Sequence, residues 1–193
     1  NLAGIKKEEL QRGDTIVTPG IFQPTDAIEC SLLLLPEAAK LHSGFRIRFF
    51  LGTSEVMGKI YLLQRKELYP GEEAFAEIKL EEKIIAKRGD YFIFRQYSPL
   101  LTIGGGRILD PYPKREKKVS SKFLRYLEVL RKGDTADVVE AISKEEGRDG
   151  VTARTISLKE GVYLKDAENL LLKTQLNRGL LKVGDRFFSR DIY

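Results

Sequence analysis

The feature that most constrains this chain is an abrupt change of sequence period near residue 110. Before it, short segments rich in Ile, Leu, Phe and Tyr (27–35, 44–52, 56–64, 73–80 and 91–97) are separated by glycine, proline and charge. Within FRIRFF, Phe45, Ile47 and Phe49 fall on one side and Arg46 and Arg48 on the other, the two-residue alternation of a half-buried strand. Tyr69–Glu72 and the KRGD run at 87–90 supply turns. About ninety residues of this pattern predict an all-β antiparallel closed barrel.

After Leu109 the prolines of DPYPKREKK interrupt the strands, and the period beyond them is helical. Ser120 or Ser121 is placed to cap a helix running to Lys132, with Phe123, Leu124, Leu127 and Leu130 on one stripe and Gly133 ending it. Asp134 or Thr135 caps a second helix with Val138, Ala141 and Ile142 inward. Thr152 opens a third, to about Glu160, and Lys165–Arg178 forms a fourth, stopped by Gly179. LLKVGDRFFS then reads as a hairpin about Gly184 and Asp185. Helices followed by a terminal hairpin predict an α/β winged-helix domain, whose last helix is the usual groove reader. Upstream, GIKKEELQRGDTIVTPG suggests a helical turn at Lys6–Arg12 and a short strand at Thr15–Val17.

The last strand of the barrel segment, YSPLLTIGGGRIL, carries three consecutive glycines in an apolar run. Glycine in a strand interior costs roughly 0.5–1 kcal/mol relative to alanine, so Gly104, Gly105 and Gly106 together lose about 2 kcal/mol unless something offsets it. A strand glycine marks a bulge, a bend, or a place where another backbone or a ligand comes close. Both readings stand at this point.

Charge narrows the function classes. The net charge is +5, yet residues 24–110 carry twelve charges of each sign, whereas Lys114–Lys132 holds eight positive against two negative. That segment is either a solvated face or the footprint of nucleic-acid contact. The fourth helix is nearly neutral, since Lys165, Lys173 and Arg178 are offset by Asp166 and Glu168. No catalytic constellation appears: there is no phosphate loop of the GxxxxGK[ST] type, no HExxH and no CxxC. The lone Cys30 reads as a buried inert thiol and the lone His42 as a loop residue, so no metal site is expected. No apolar run approaches the roughly 18 residues that cross a bilayer, and an intracellular, cytoplasmic protein without membrane contact is expected.

Residues 69–109, YPGEEAFAEIKLEEKIIAKRGDYFIFRQYSPLLTIGGGRIL, resemble the third domain of translational GTPases of the elongation factor Tu class, in the PG turn, the GD turn and the closing glycine strand. GIKKEELQRGDTIVTPG looks like the end of the second barrel of that class. The YSP and TIGGGRIL forms narrow the resemblance to the bacterial selenocysteine-specific elongation factors (SelB). On this resemblance the chain divides into the end of a truncated second barrel (1–22), a third-domain barrel (23–110), a basic proline-containing linker (111–118) and a winged-helix domain (119–193).

The resemblance implies delivery of selenocysteyl-tRNA to the ribosome at recoded UGA codons. It places GTP and Mg in a GTPase domain outside this chain, against which the barrel packs, so no cofactor and no enzymatic activity are expected here. An mRNA hairpin would be read by further C-terminal modules. By position it makes Arg95, Thr102, Gly104, Gly105, Gly106 and Arg107 candidate tRNA contacts. The basic segment adds Lys114, Arg115, Lys117, Lys118 and Lys122 as candidate RNA or ribosome contacts. A second reading is a winged-helix DNA regulator with a β-barrel effector domain, which explains the helical part but leaves TIGGGRIL unexplained.

Overall fold

The computed structural model describes residues 4, 6–114 and 119–190. Six long strands close a barrel: β1 (Thr25–Leu34), β3 (Phe45–Leu51), β4 (Ser54–Leu62), β6 (Glu73–Ile84), β7 (Tyr91–Gln96) and β8 (Thr102–Asp110). The order around it is β1-β6-β4-β3-β7-β8, with β8 pairing back onto β1, all antiparallel. Two-residue strands β2 (Leu41–His42) and β5 (Glu67–Leu68) pair beside it, so His42 lies in a short strand and edges against the ring of Phe45 instead of occupying a loop. Alternation places Ile28, Cys30, Leu32 and Leu34 of β1 inside with Ile47, Phe49, Phe92 and Phe94. Cys30 is fully buried, and burial raises its thiol pKa further.

The helical part begins with α1 (Ser121–Lys132), capped by the Ser120 hydroxyl accepting from the Phe123 N–H. Asp134 and Asp137 form a reciprocal capping box for α2 (Thr135–Glu146). Thr152 caps α3 (Ala153–Glu160), and α4 (Leu164–Arg178) ends on Gly179 at φ +70°. Strands β9 (Leu181–Val183) and β10 (Arg186–Phe188) form the hairpin, and Val151 bridges antiparallel to Phe187 as a third, one-residue strand. This is the winged-helix-like arrangement expected, with α4 in the position of the groove-reading helix.

The entry segment departs from expectation. Residues 6–24 contain a single 3₁₀ turn, Lys7–Glu9, and Thr15–Val17 form no strand. A strand needs a partner edge for its backbone groups, and the six-stranded barrel is already closed. On α1, Tyr126 joins Phe123, Leu127 and Leu130 as a fully packed residue, and Leu124 is only half-buried.

The two units share an interface. Leu109 on the barrel's outer face sits in the core of the helical module, which also packs against Leu63 and Phe75. Around it, Asp110 accepts hydrogen bonds from the Tyr126 hydroxyl (2.9 Å), the Tyr112 N–H (2.9 Å) and the Lys159 ammonium. Arg88 forks onto Glu160 at 2.6 and 2.5 Å and donates to the Leu130 carbonyl at 3.3 Å. Arg131 of α1 pairs with Glu73 of β6 at 3.0 Å.

Candidate nucleic-acid interface

The glycine strand β8 lies between β7 and β1. Its glycines pair with Phe94, Ile93 and Phe92 on one side and with Leu34, Leu33 and Leu32 on the other. None of the three has a positive φ, so they are not there for backbone conformation. They are there for space. A Cβ on Gly104 would overlap the Phe94 ring and lie 2.5 Å from the Leu33 carbonyl; one on Gly106 would overlap the Ser31 carbonyl and lie 2.8 Å from Phe92 Cζ. Rings laid across strand glycines recover contact area that the missing side chains forgo. The expected bulges occur, but at the two ends of β8, opposite Phe94/Arg95 and Glu29/Cys30, and not at the glycines.

Gly105 faces outward. It forms the floor of an open groove of about 550 Å³ whose walls include Leu33, Leu35, Tyr91, Ile93 and Thr102. Arg95 and Thr102 are cross-strand partners at one end, while Arg107 pairs with Tyr91 at the other. Five residue steps along the strand separate Thr102 from Arg107, about 17 Å. The structure therefore brings Arg95 and Thr102 together and holds Arg107 apart from them. The Arg107 guanidinium lies 5.9 Å from the Tyr91 ring centroid, and its Nε is buried without an acceptor among the described residues. The groove is mostly apolar, and its charged lining residues are Arg107, Arg131 and Glu73. It suits a ribose or base edge along its length and a phosphate beside the Arg107 guanidinium.

Of the basic segment, Arg115, Lys117 and Lys118 lie outside the described residues. Lys114 is engaged by Glu146 at 2.8 Å, and Lys122 is exposed on α1. On α4 the outward surface carries Leu172 and Leu176, the latter 85% exposed, beside Lys165, Glu168 and Lys173. The hairpin adds exposed Leu181 and Val183. This face lacks the several phosphate-neutralising cations of a duplex reader.

The residues that join the two units, Glu29, Arg88, Asp110, Tyr126, Lys159 and Glu160, escape sequence reasoning because their partners lie 16 to 72 positions away or are set by packing. Glu29 is 5% exposed; burial, followed by the Asp110 carboxylate, pushes its pKa to about 9, so it holds a proton at neutral pH. The only available signal was a charged residue, Glu29, inside the apolar run of β1. Among the described residues no cluster of His, Cys, Asp and Glu is arranged to hold a metal ion, and no helix is long and apolar enough to cross a membrane.

Comparison with known proteins agrees with this fold. A family model described as the β-barrel domain of the selenocysteine-specific elongation factor matches residues 28–115. A selenocysteine-specific elongation factor from Desulfomicrobium baculatum is 28% identical over 177 residues, 91% of this chain and 27% of that protein. The crystal structure of a bacterial selenocysteine-specific elongation factor, EF-Sec, matches with a TM-score of 0.71 at 18% identity, covering 98% of this chain and 28% of that one, a likeness of fold. The chain spans little more than a quarter of the length of either relative. Residues 28–115 thus match the β-barrel domain of the selenocysteine-specific elongation factors, and a winged-helix-like module packs against the barrel's outer face.

Proposed function

We propose that this chain is the barrel and first winged-helix-like module of a selenocysteine-specific translation factor, and that the barrel's outer surface binds the stem of selenocysteyl-tRNA. The observation that carries the reading is the family match over 28–115, which contains the whole glycine strand. Arg95 and Thr102 at one end and Arg107 at the other bracket a length of about 17 Å, compatible with contacts to successive phosphates along an RNA stem, which proteins read chiefly through backbone and shape. GTP and its magnesium ion belong to the GTPase domain of the longer factor, which acts in the cytoplasm at recoded UGA codons. The helical module, fixed to the barrel through Asp110 and Arg88, links the tRNA-binding part to modules that read the mRNA hairpin.

The test compares binding of the chain to a selenocysteine tRNA transcript and to a DNA duplex of similar charge. Preference for the tRNA is expected, and Arg107→Ala should lower the slope of log K against log salt by about one. Equal or tighter binding to DNA would replace this reading with the winged-helix regulator.

A further inference from the structure

Residues 13–23 of the entry segment belong to neither hydrophobic core, yet they are tied to every part of the fold around them. At the start of this stretch the Gly13 carbonyl accepts a hydrogen bond of 2.8 Å from the Ser54 hydroxyl, at the first residue of β4. Further on it runs against α3. A Cβ on Gly20 would lie 3.4 Å from Arg154 Nη1, and one on Gly161, the residue that ends α3, would lie 3.2 Å from the Phe22 ring. Gly20 therefore sits beside a side chain from the first turn of α3, and Phe22 lies against its C-terminal end. Between them Ile21 is 6% exposed.

At the end of the stretch one residue gathers the connections. The Tyr112 hydroxyl accepts from the Gln23 N–H at 3.0 Å and donates to the Gln23 carbonyl at 2.9 Å, the two bonds that a paired strand would otherwise supply. The Tyr112 N–H donates to Asp110 at the end of β8 at 2.9 Å, and its carbonyl accepts from the Lys159 ammonium of α3 at 3.4 Å. Tyr112 thus bonds the entry segment, the barrel and the helical module at once.

We propose that residues 13–23 are a strap that holds the helical module on the barrel, with Tyr112 as its clasp, so that strap and module seat and release together. Ordering this length of irregular chain costs conformational entropy, and the Ser54 bond alone is a small return for it. The contacts with Arg154 and Gly161, and the Lys159 bond that steadies Tyr112, exist only while the helical module is seated. Each partner therefore strengthens the attachment of the other, by the same factor in both directions. The strap goes beyond the RNA reading and holds whatever ligand the barrel takes; it passes a displacement of the helical module to the segment that enters the barrel.

The test is amide hydrogen exchange on the whole chain. The Arg88 N–H reports on a seated module, because its acceptor is the Lys159 carbonyl at 3.0 Å, and the Leu35 N–H, which donates to the Ile103 carbonyl at 2.9 Å, reports on the barrel. Ser54→Ala cuts a bond between strap and barrel in which the module takes no part. It should nevertheless speed exchange at Arg88 about fivefold, as the loss of one hydrogen bond does, and leave Leu35 unchanged. Tyr112→Phe should speed exchange at Arg88 by more than about tenfold, and adding Ser54→Ala to it should then have no further effect. An unchanged Arg88 in Ser54→Ala means that strap and module seat independently, and overturns the proposal. An equal rise at Leu35 means a general loss of barrel stability and overturns it as well. A full Ser54→Ala effect in the Tyr112→Phe background transfers the clasp to Phe22 and overturns the role of Tyr112. Each of these outcomes leaves the tRNA reading where it stands.

Discussion

Phe94 on β7 lies directly across from Gly104 on β8, its ring filling the volume that a side chain at 104 would need. Phe92 and Gly106 repeat the relationship two residues on. The glycines that looked like a cost on a strand are the counterpart of two core phenylalanines.

Alanine at these positions should therefore destabilise the barrel unequally. Gly104→Ala and Gly106→Ala meet an aromatic ring and a carbonyl oxygen at once, and overpacking of this kind costs about 1–3 kcal/mol. Gly105→Ala points into the open groove; its closest neighbour is the Phe92 carbonyl at 2.8 Å, and it should cost least. Urea unfolding of the three variants checks the order. A Gly105→Ala variant less stable than Gly104→Ala would mean that the floor of the groove, not the barrel interior, is the tighter packing.

The joint between the units should depend on Lys159. Its ammonium and the Asp110 carboxylate are both nearly excluded from solvent. Removing one member of a buried pair strands the other, at about 3–5 kcal/mol. Lys159→Ala is expected to split thermal unfolding into two calorimetric transitions, the helical module melting first. A single transition at the wild-type temperature would show that the apolar contact around Leu109 suffices.

Glu29 gives the joint a pH dependence of predictable sign. Its folded pKa is raised from 4.5 to about 9, so the folded chain binds a proton that the unfolded chain releases between those values. Over that window this group's contribution to stability falls as pH rises, by at most about 1.4 kcal/mol per pH unit, and becomes flat above about 9. Glu29→Gln should raise stability at pH 8 relative to pH 5 and flatten the profile. The comparison is urea unfolding of both proteins at the two pH values; parallel profiles would show that Glu29 is ionised in the fold.

The α4 face should not confer sequence-specific DNA binding. With Leu172 and Leu176 exposed between charges of both signs, the helix offers no ring of phosphate contacts. Fluorescence anisotropy with unrelated duplexes should give affinities within about threefold of one another, in the weak range of about 10⁻⁴–10⁻⁶ M typical of non-specific binding. A duplex bound far more tightly would restore α4 as a reader.

Much of the fold was legible because it is written locally. Alternation in FRIRFF, the caps Ser120, Asp134 and Thr152, and the stops Gly133 and Gly179 act over a few residues, and the structure places them accordingly. The candidate interface was less so. Sequence order put Arg95 through Arg107 on one hairpin, but only strand pairing shows that Arg95 meets Thr102 while Arg107 stands at the far end beside Tyr91.

By itself the sequence determined the change from strand to helix near residue 110, the family resemblance of the barrel, and the weak charge of α4, since each depends on residue type and short-range order. Tertiary structure alone decided why the glycines are needed and which charges are buried. Those are consequences of closure. Joining β8 to β1 brings Gly104 and Gly106 against the Leu33 and Ser31 carbonyls, and seating the helices on Leu109 removes Glu29, Asp110 and Lys159 from water. No spacing along the chain encodes that contact, because its free energy arises only when distant segments exclude solvent together.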